Sequence, residues 1–468
     1  MSAAKTTAEL YSQQGFSPVD PARIFAPVDF SGAHAVIAAV SGGGDSLALL
    51  FLLRDYLAGI NDAPELIAVT VDHGLRPESA AEAAAVAELC KRHGIAHRIL
   101  RWEGEKPETG IPAAAREARY RLLVEAAREA GAGLIVTGHT QDDQIETFLM
   151  RKARGGERGL AGMAAFTLLD RGVWLLRPLL GTRRDNLRAF LSERRIAWFD
   201  DPTNENMAFE RPRIRDRATG VEPGAILEEI AARTAMRCAQ GMAAADLLSS
   251  GKVEIGPGDA ATLDAGWLAE RERDAAALAL GVLTAIIGGR SFLTGEAERE
   301  RLLTLLTGTE GGSARLSLSG CIVQRGVKRH RIWREGRGLP DLTLVAGESA
   351  IWDGRYRVVN DLPGGETVRI APPTAAELHA FCLQKDLERN GFYRAAVLTG
   401  PAVHLAGEVV DVPALTEGRF LPAGLAVTRH IALYDKVLPG HDLALANAAA
   451  GLFGRETYPQ PPVLPNML

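Results

Sequence analysis

Two short stretches of this sequence gather residue types that handle phosphate esters and amines. Ser41-Gly42-Gly43-Gly44-Asp45-Ser46 follows the apolar run His34 to Val40 and precedes the helix-like stretch Leu47 to Leu57. Consecutive glycines let the backbone turn tightly and bring bare N–H groups against an anion, and a following helix offers its positive N-terminal end. Asp45 adds a carboxylate suited to a metal carried by phosphates, and Ser46 adds a hydroxyl. Taken alone, the same residues also describe a glycine-rich turn capped by Asp or Ser. The second stretch runs from Gly138 to Thr147. If it is helical from about His139, then His139, Asp142 or Asp143, and Glu146 share one face. That face holds enough carboxylate for Mg²⁺ or a cationic amine, although an acidic helix start favoured by the macrodipole would look similar. No G-x-x-x-x-G-K-[ST] occurs, and no G-x-G-x-x-G follows a strand, so neither a Walker site nor a dinucleotide fingerprint is indicated.

The elements that must position these groups are legible as an alternation. Ala33 to Val40, Leu66 to Val71, Arg98 to Trp102 and Leu134 to Thr137 read as strands. Asp45 to Tyr56, Glu78 to His93, Pro112 to Ala130 and Gln141 to Arg154 read as helices. Continuously apolar strands alternating with helices predict an α/β fold, a doubly wound parallel sheet covered on both faces. Ligands in such sheets bind outside the carboxyl ends of the strands. Both stretches lie at such ends, as does Asp72-His73-Gly74-Leu75-Arg76, so residues 41 to 46 and 138 to 147 are expected to converge on one triphosphate.

Beyond Arg154 come Gly- and Arg-rich loops, Gly155 to Gly162, and a basic helix near Arg183 to Arg195. Pro223 to about Leu306 looks helical, with a Gly-rich interruption near Gly251 to Asp259; Ser313 to Trp333 alternates enough for a hairpin. Short strand candidates follow at Tyr356 to Val359 and Thr367 to Ile370. The expected division is an N-terminal extension over 1–32, a nucleotide-binding catalytic domain over 33–218, a helix-rich middle domain over 219–340 and a small α+β C-terminal domain over 341–468.

A chain of 468 residues that is 47% hydrophobic and 24% charged is an ordinary soluble globular protein of more than one domain. Met1 to Pro27 is polar and Pro-dotted, which argues against a secretory signal, and Ala275 to Gly289 is too short to span a bilayer comfortably, so a cytoplasmic location is expected. The four cysteines, Cys90, Cys238, Cys321 and Cys382, show no C-x-x-C spacing; they are expected to be reduced and buried, with no zinc or iron–sulfur site. Net charge is −5, yet Arg151 to Arg217 holds fifteen Lys or Arg against nine Asp or Glu. A local excess of +6 in an acidic chain points to a polyanion facing this segment.

Ser41 to Ser46 match in full the PP-loop signature SGGxDS, and the chain here resembles the N-type ATP pyrophosphatases, which split ATP between its α and β phosphates to adenylylate a substrate. Further stretches resemble the tRNA(Ile)-lysidine synthetase family. They are Asp72, His73, Leu75 and Arg76; Ala115, Arg116, Arg119 and Tyr120; Gly138 to Thr147; Arg177 to Leu180; and Asp201 to Asn204 followed by Arg211, Arg213 and Arg215. Order and spacing agree from about Ala33 to Arg217. Two departures stand out: Ile111-Pro112-Ala113 lacks the family's Asn, and Pro212 replaces an Asn between two arginines, removing an N–H.

The resemblance implies ATP-dependent ligation of free lysine to C2 of the wobble cytidine in a CAU-anticodon isoleucine tRNA. It implies that Ser41, Gly42, Gly43, Gly44, Asp45, Ser46, Asp72, His73 and Gly138 face ATP, and that Asp45 and Asp143 hold Mg²⁺. Arg116 would balance phosphate charge, Asp143 and Glu146 would take the lysine amine, and His139 would donate to phosphate or orient Asp143, unless it is a structural histidine. Arg154, Arg177, Arg211, Arg213 and Arg215 would contact tRNA, with Trp198 and Phe209 as stacking surfaces or core residues. No obligate protein partner is inferred, and a homodimer stays open. A 2-thiocytidine synthetase is the nearest alternative, but it normally needs the clustered cysteines this chain lacks. An amidotransferase-like ligase would not need the basic segment, and an idle nucleotide-binding module would not need Asp45, Asp143 and Glu146 together.

Overall fold

Within the first part of the chain, after a short helix α1 (Pro21–Phe25), strands and helices alternate as β1 (Ala35–Ala39), α2 (Gly44–Leu57), β2 (Glu65–Asp72), α3 (Ser79–Arg92), β3 (Ala96–Arg101), α4 (Ile111–Glu129), β4 (Leu134–Thr137) and α5 (Gln141–Arg154). A hairpin of β5 (Phe166–Leu169) and β6 (Val173–Leu176) follows, then α6 (Arg184–Glu193). The computed structural model describes residues 19–200, 210, 213–214, 222–268, 272–308, 314–387 and 394–463. The chain divides into two compact units, Met1–Met236 with Pro459–Leu468, and Arg237–Tyr458.

In the first unit six strands lie in the order β5-β6-β4-β1-β2-β3. All are parallel to their neighbours except β5, which runs antiparallel to β6. β1 has both faces closed, with Val36 and Ile37 each 0% exposed although they point to opposite sides. On one face Ala35, Ile37, Ile67, Val69 and Ile135 pack against Leu123, Val124 and Ala127 of α4. On the other, Val36, Ala38 and Ala68 are equally buried. The predicted doubly wound parallel sheet is therefore the observed one. β1 sits centrally, with Ala39 opposite both Val69 and Thr137, so the chain leaves β1 and β4 at the same edge.

The hairpin β5–β6 falls between the loops expected over 155–162 and the basic helix, where no element was expected. Its turn carries Asp170 and Arg171, both at positive φ (43° and 60°), the mirror-image turn that matches strand twist. Glycine usually advertises such a turn, and here it is absent from both central positions.

The second unit holds the C-terminal part of α7 (Pro223–Leu248), then β7 (Val253–Gly256), β8 (Ala260–Asp264), α8 (Arg273–Ile287), α9 (Glu296–Thr307), β9 (Arg315–Leu318), β10 (Cys321–Gln324) and β11 (Arg329–Arg334). These five strands form an antiparallel sheet, β7-β8-β11-β10-β9. The stretch read as a hairpin is thus a meander that extends onto β8, and the Gly-rich interruption is a strand pair. α8 is the apolar stretch judged too short for a bilayer; from Ala275 to Ile287 every residue is buried, as expected of a helix apolar all round. Among the described residues no helix is long and apolar enough to cross a membrane.

Beyond it, β12 (Leu342–Leu344), β13 (Glu348–Trp352), β14 (Tyr356–Asn360), β15 (Val368–Ala371), β16 (Ala402–Leu405), β17 (Glu408–Asp411) and β18 (Leu425–Arg429) form a four-stranded sheet, β12-β15-β16-β17, and a three-stranded one, β13-β14-β18. One core joins them, with Trp352, Val358, Val368, Ile370 and Val403 all fully buried.

Asp259, between β7 and β8, is 1% exposed and pairs with Arg429, with Arg355 at 3.6 Å and with the Tyr356 hydroxyl at 2.9 Å. Burial alone would raise its carboxyl pKa, but Arg429 and Arg355 outweigh burial and hold it below the ordinary value. Removing the carboxylate takes an ion-pair partner from the half-buried Arg429 and from the fully buried Arg355, so Asp259→Ala should cost about 3–5 kcal/mol in denaturant unfolding. A carboxyl depressed in the folded state contributes its full stability above its unfolded pKa of about 3.9 and loses it as pH falls through the folded value. The stability gap between wild type and Asp259→Ala should therefore narrow at acid pH.

Candidate active site

The site begins with the loop between β1 and α2. Gly42 has φ +88°, and a Cβ there would lie 3.0 Å from the Phe199 ring and 3.1 Å from Val86. Its carbonyl accepts the Phe199 N–H at 3.0 Å. Ser46 Oγ donates to the Gly43 carbonyl at 2.9 Å and accepts from the Ser41 N–H at 3.2 Å, closing the loop on itself. α2 then starts at Gly44 with Gly43 as its N-cap and no side chain capping it. Its first amides have no partner within the helix, which makes this end an anion seat.

The second segment comes against the first through Gly138. A Cβ on Gly138 would lie 2.8 Å from the Asp45 carbonyl oxygen, 2.9 Å from its carbon and 3.0 Å from Ser46 Cα. These are backbone atoms at the start of α2, so the expected convergence of 41 to 46 with 138 to 147 is what the fold builds.

α5 starts at Gln141, not His139. Thr140 is its N-cap, with the Asp143 N–H donating to Thr140 Oγ1 at 3.3 Å and the Thr140 N–H to Asp143 Oδ2 at 2.8 Å, a capping box. His139 consequently stands in the strand-to-helix loop rather than on the helical face with Asp143 and Glu146; its Nδ1 is 3.0 Å from Thr137 Oγ1. Asp143 is oriented by Thr140 and by Arg184.

Arg184, the first residue of α6, brings the nominated carboxylates together. Its Nε lies 3.0 Å from Asp45 Oδ2, its Nη2 3.2 Å from Asp143 Oδ1 and its Nη1 3.6 Å from Glu146 Oε1. Its own backbone N–H donates to Asp142 Oδ2 at 2.8 Å, and Arg183 pairs with Asp142 at 3.2 Å. One guanidinium thus serves three carboxylates. Burial would lower the Arg184 pKa, but Asp143, Asp45 and Glu146 outweigh it and hold it above the usual value. At Asp45 burial wins: its carboxyl is raised despite Arg184. Asp45 Oδ1 is buried with no hydrogen-bond partner among the described residues.

At the neighbouring strand end Asp72 is 6% exposed and accepts from the Gly74 N–H at 2.9 Å and the Ser79 hydroxyl at 2.7 Å. Its carboxylate organises the turn out of β2. Burial would raise its pKa, but these two bonds prevail and lower it. His73 stacks edge-on against Trp102, centroids 6.1 Å apart, and burial followed by Arg119 lowers its pKa. Arg116 is exposed and donates to the Tyr120 hydroxyl at 3.1 Å. Burial raises the Tyr120 pKa, but Arg116, Arg177 and Arg119 together bring it down to about 8.

Not every basic residue faces solvent. Arg177, expected to contact tRNA, is 6% exposed and donates to the Ala164 carbonyl at 2.7 Å and the Thr167 hydroxyl at 2.9 Å. It ties β6 to the chain entering β5 and is not offered to a polyanion. Arg154 is exposed and paired with Glu210, and Arg213 is exposed. Arg211, Arg215, Phe209 and Asp201 to Asn204 lie outside the described residues. Trp198 packs its ring 3.5 Å from the position a Cβ on Gly44 would take, and Phe199 covers Gly42, so these aromatics support the loop. Cys90, Cys321 and Cys382 are buried as expected, while Cys238 is half-buried; burial pushes the Cys90 thiol up to about 11.

Arg184 is the functional residue that sequence reasoning did not single out. It lay inside a stretch recognised as basic, but nothing in its local spacing links it to Asp45. Among the described residues no group of three or more His, Cys, Asp or Glu is arranged to hold a metal on its own.

A helix N-terminus at the exit of the central strand, with a half-buried carboxylate in its first turn, defines a nucleotide site of the PP-loop kind, and the PP-loop domain family matches residues 19–221. The chain is 47% identical to the tRNA(Ile)-lysidine synthases of Brucella canis and Brucella ovis, over 94% of its own length and 98% of theirs. It belongs to the tRNA(Ile)-lysidine synthase family. In structure it is similar to the U34-tRNA thiolase NcsA of Methanococcus maripaludis with its [4Fe-4S] cluster, with a TM-score of 0.41 and 19% identity, over 49% of this chain and 80% of that one.

Because the atoms a Gly138 Cβ would strike are backbone, Gly138→Ala must shift the start of α2. The variant should fold, as judged by circular dichroism, but bind ATP at least ~10-fold more weakly by calorimetry, the equivalent of about 1.4 kcal/mol.

Proposed function

We propose that this chain ligates lysine to C2 of the wobble cytidine of the CAU-anticodon isoleucine tRNA at the strand ends of its first unit. It is an ATP-dependent ligase of tRNA. The observation that carries the reading is the set of three carboxylates, Asp45, Asp143 and Glu146, gathered on Arg184 beside the glycine loop. The C2 oxygen of cytidine is a poor leaving group. It attacks the α-phosphorus of ATP and pyrophosphate departs; the lysine ε-amine then adds at C2 and AMP leaves with the oxygen.

The protein's part is positioning and charge. The amides at the start of α2 hold phosphate, and Arg116 balances charge that builds as pyrophosphate leaves. An ε-amine with a pKa of about 10.4 is almost wholly protonated near pH 7. Asp143 and Glu146 bind that cation and accept its proton as it attacks. Mg²⁺ characteristically takes one or two carboxylates plus substrate phosphates, which fits Asp45 with its unpartnered Oδ1, seconded by Asp143. Bound there, the ion would neutralise phosphate charge. Asp143 offers less, because Oδ2 is already engaged by Thr140. Ser41, Ser46, Gly138, Asp72 and His73 shape the nucleotide side, the last two by ordering the turn out of β2, and His139 stands beside it as a donor.

Arg154, Arg211, Arg213 and Arg215 supply phosphate contacts to tRNA, which fix position, while unpaired anticodon bases supply identity. Of the expected divisions at 33–218, 219–340 and 341–468, the first carries catalysis together with these arginines and the last adds a further tRNA contact, in a cytoplasmic enzyme acting on free lysine.

Mass spectrometry of isoleucine tRNA after incubation with the protein, ATP and labelled lysine should show one lysine added at the wobble cytidine. Omitting ATP should abolish it. Unmodified tRNA in the complete reaction would refute the assignment. Asp143→Asn and Glu146→Gln should each lower incorporation by about 10²–10⁴-fold with tRNA affinity unchanged. Arg211→Glu with Arg213→Glu should instead weaken tRNA binding and flatten its salt dependence.

A further inference from the structure

We propose that Arg184 is a displaceable internal cation that closes the amine-binding carboxylates until a nucleotide draws it away, so that ATP binding precedes and strengthens lysine binding. The inference rests on the reading of Asp143 and Glu146 as the amine site.

Lysine's ammonium needs acceptor oxygens, and in the free protein those of Asp143 are engaged. Oδ1 receives Arg184 Nη2 at 3.2 Å, and Oδ2 receives the Thr140 N–H at 2.8 Å and its hydroxyl at 3.0 Å. Arg184 Nη1 stands 3.6 Å from Glu146 Oε1. The cap bonds belong to the helix start and stay with it. Arg184 is the group that must yield.

It is built to yield. Its backbone is pinned, with the N–H on Asp142 Oδ2 at 2.8 Å, while its long side chain is held by ion pairs alone and is 18% exposed. The same guanidinium touches Asp45 at 3.0 Å, and Asp45 stands in the first turn of α2, where a triphosphate would lie. A polyanion arriving there, with several charged oxygens, is a stronger partner for a guanidinium than a single carboxylate. Moving Arg184 onto phosphate leaves Asp143 and Glu146 with uncompensated charge, and an ammonium supplies what has left. Coupling of this kind is reciprocal: lysine must tighten nucleotide binding by the same factor.

Calorimetry on the full chain without tRNA tests this, using lysine and an ATP analogue with a methylene bridge between its α and β phosphorus atoms. Wild type should bind lysine about 5–150-fold more tightly with the analogue present. Arg184→Gln should bind lysine more tightly than wild type without the analogue and gain little from adding it. Arg184→Lys, which keeps a cation, should restore part of the coupling. Thermal melts confirm that the variants fold; should Arg184→Gln fail to do so, the two wild-type titrations and the reciprocal nucleotide titration decide alone. Equal lysine affinity in wild type with and without the analogue would overturn the proposal, as would full coupling in Arg184→Gln. Lysine that binds in neither state would remove the amine-site reading itself, and this inference with it.

Discussion

One guanidinium shared among three carboxylates, in a crevice where Glu146 is 3% exposed, sets the character of this site. Three ionised carboxylates crowded together would push one another toward the neutral form. Arg184 ties them together while supplying only one positive charge. In the proposed reaction the cations such a cluster would draw are a metal travelling with ATP and the ammonium of lysine. Structure and chemistry meet at this imbalance, because a fully neutralised cluster would have nothing to offer an amine.

The cluster exists because two chain segments approach at backbone distance. Gly138 carries no side chain where the Asp45 carbonyl and Ser46 Cα pass, and β1 and β4 are adjacent parallel strands in register at Ala39 and Thr137. The sheet aligns the two exits, and the missing Cβ lets α2 and the loop into α5 share one space. Thr140 then fixes where α5 begins, which aims Asp143 and Glu146 inward and leaves His139 in the loop. Phe199 and Trp198 brace the glycine loop from behind.

Much of this was legible in the chain. β1, β2 and β4 are apolar enough to be buried on both faces, and each ends in a polar turn, so their identity and the site at their carboxyl ends follow from pattern alone. β5 and β6 were missed because they are four residues each and are joined by a turn whose central positions, Asp170 and Arg171, are not glycine. Arg177 looked like one more member of a basic stretch; only the fold reveals that it faces inward between Ala164 and Thr167. Arg184 was hidden for the opposite reason. Its partner Asp45 is 139 positions away, a pairing no local spacing encodes. The helical face drawn through His139 failed because the capping box delays the helix by two residues.

A structure of the full chain crystallised with the methylene-bridged ATP analogue, Mg²⁺ and lysine tests the account most directly. It should place the triphosphate on the amides that begin α2, and the lysine amine within hydrogen-bond distance of Asp143 and Glu146. The Arg184 guanidinium should have moved from those carboxylates onto phosphate. A nucleotide bound away from residues 41 to 46, or a lysine amine held by other side chains, would contradict it.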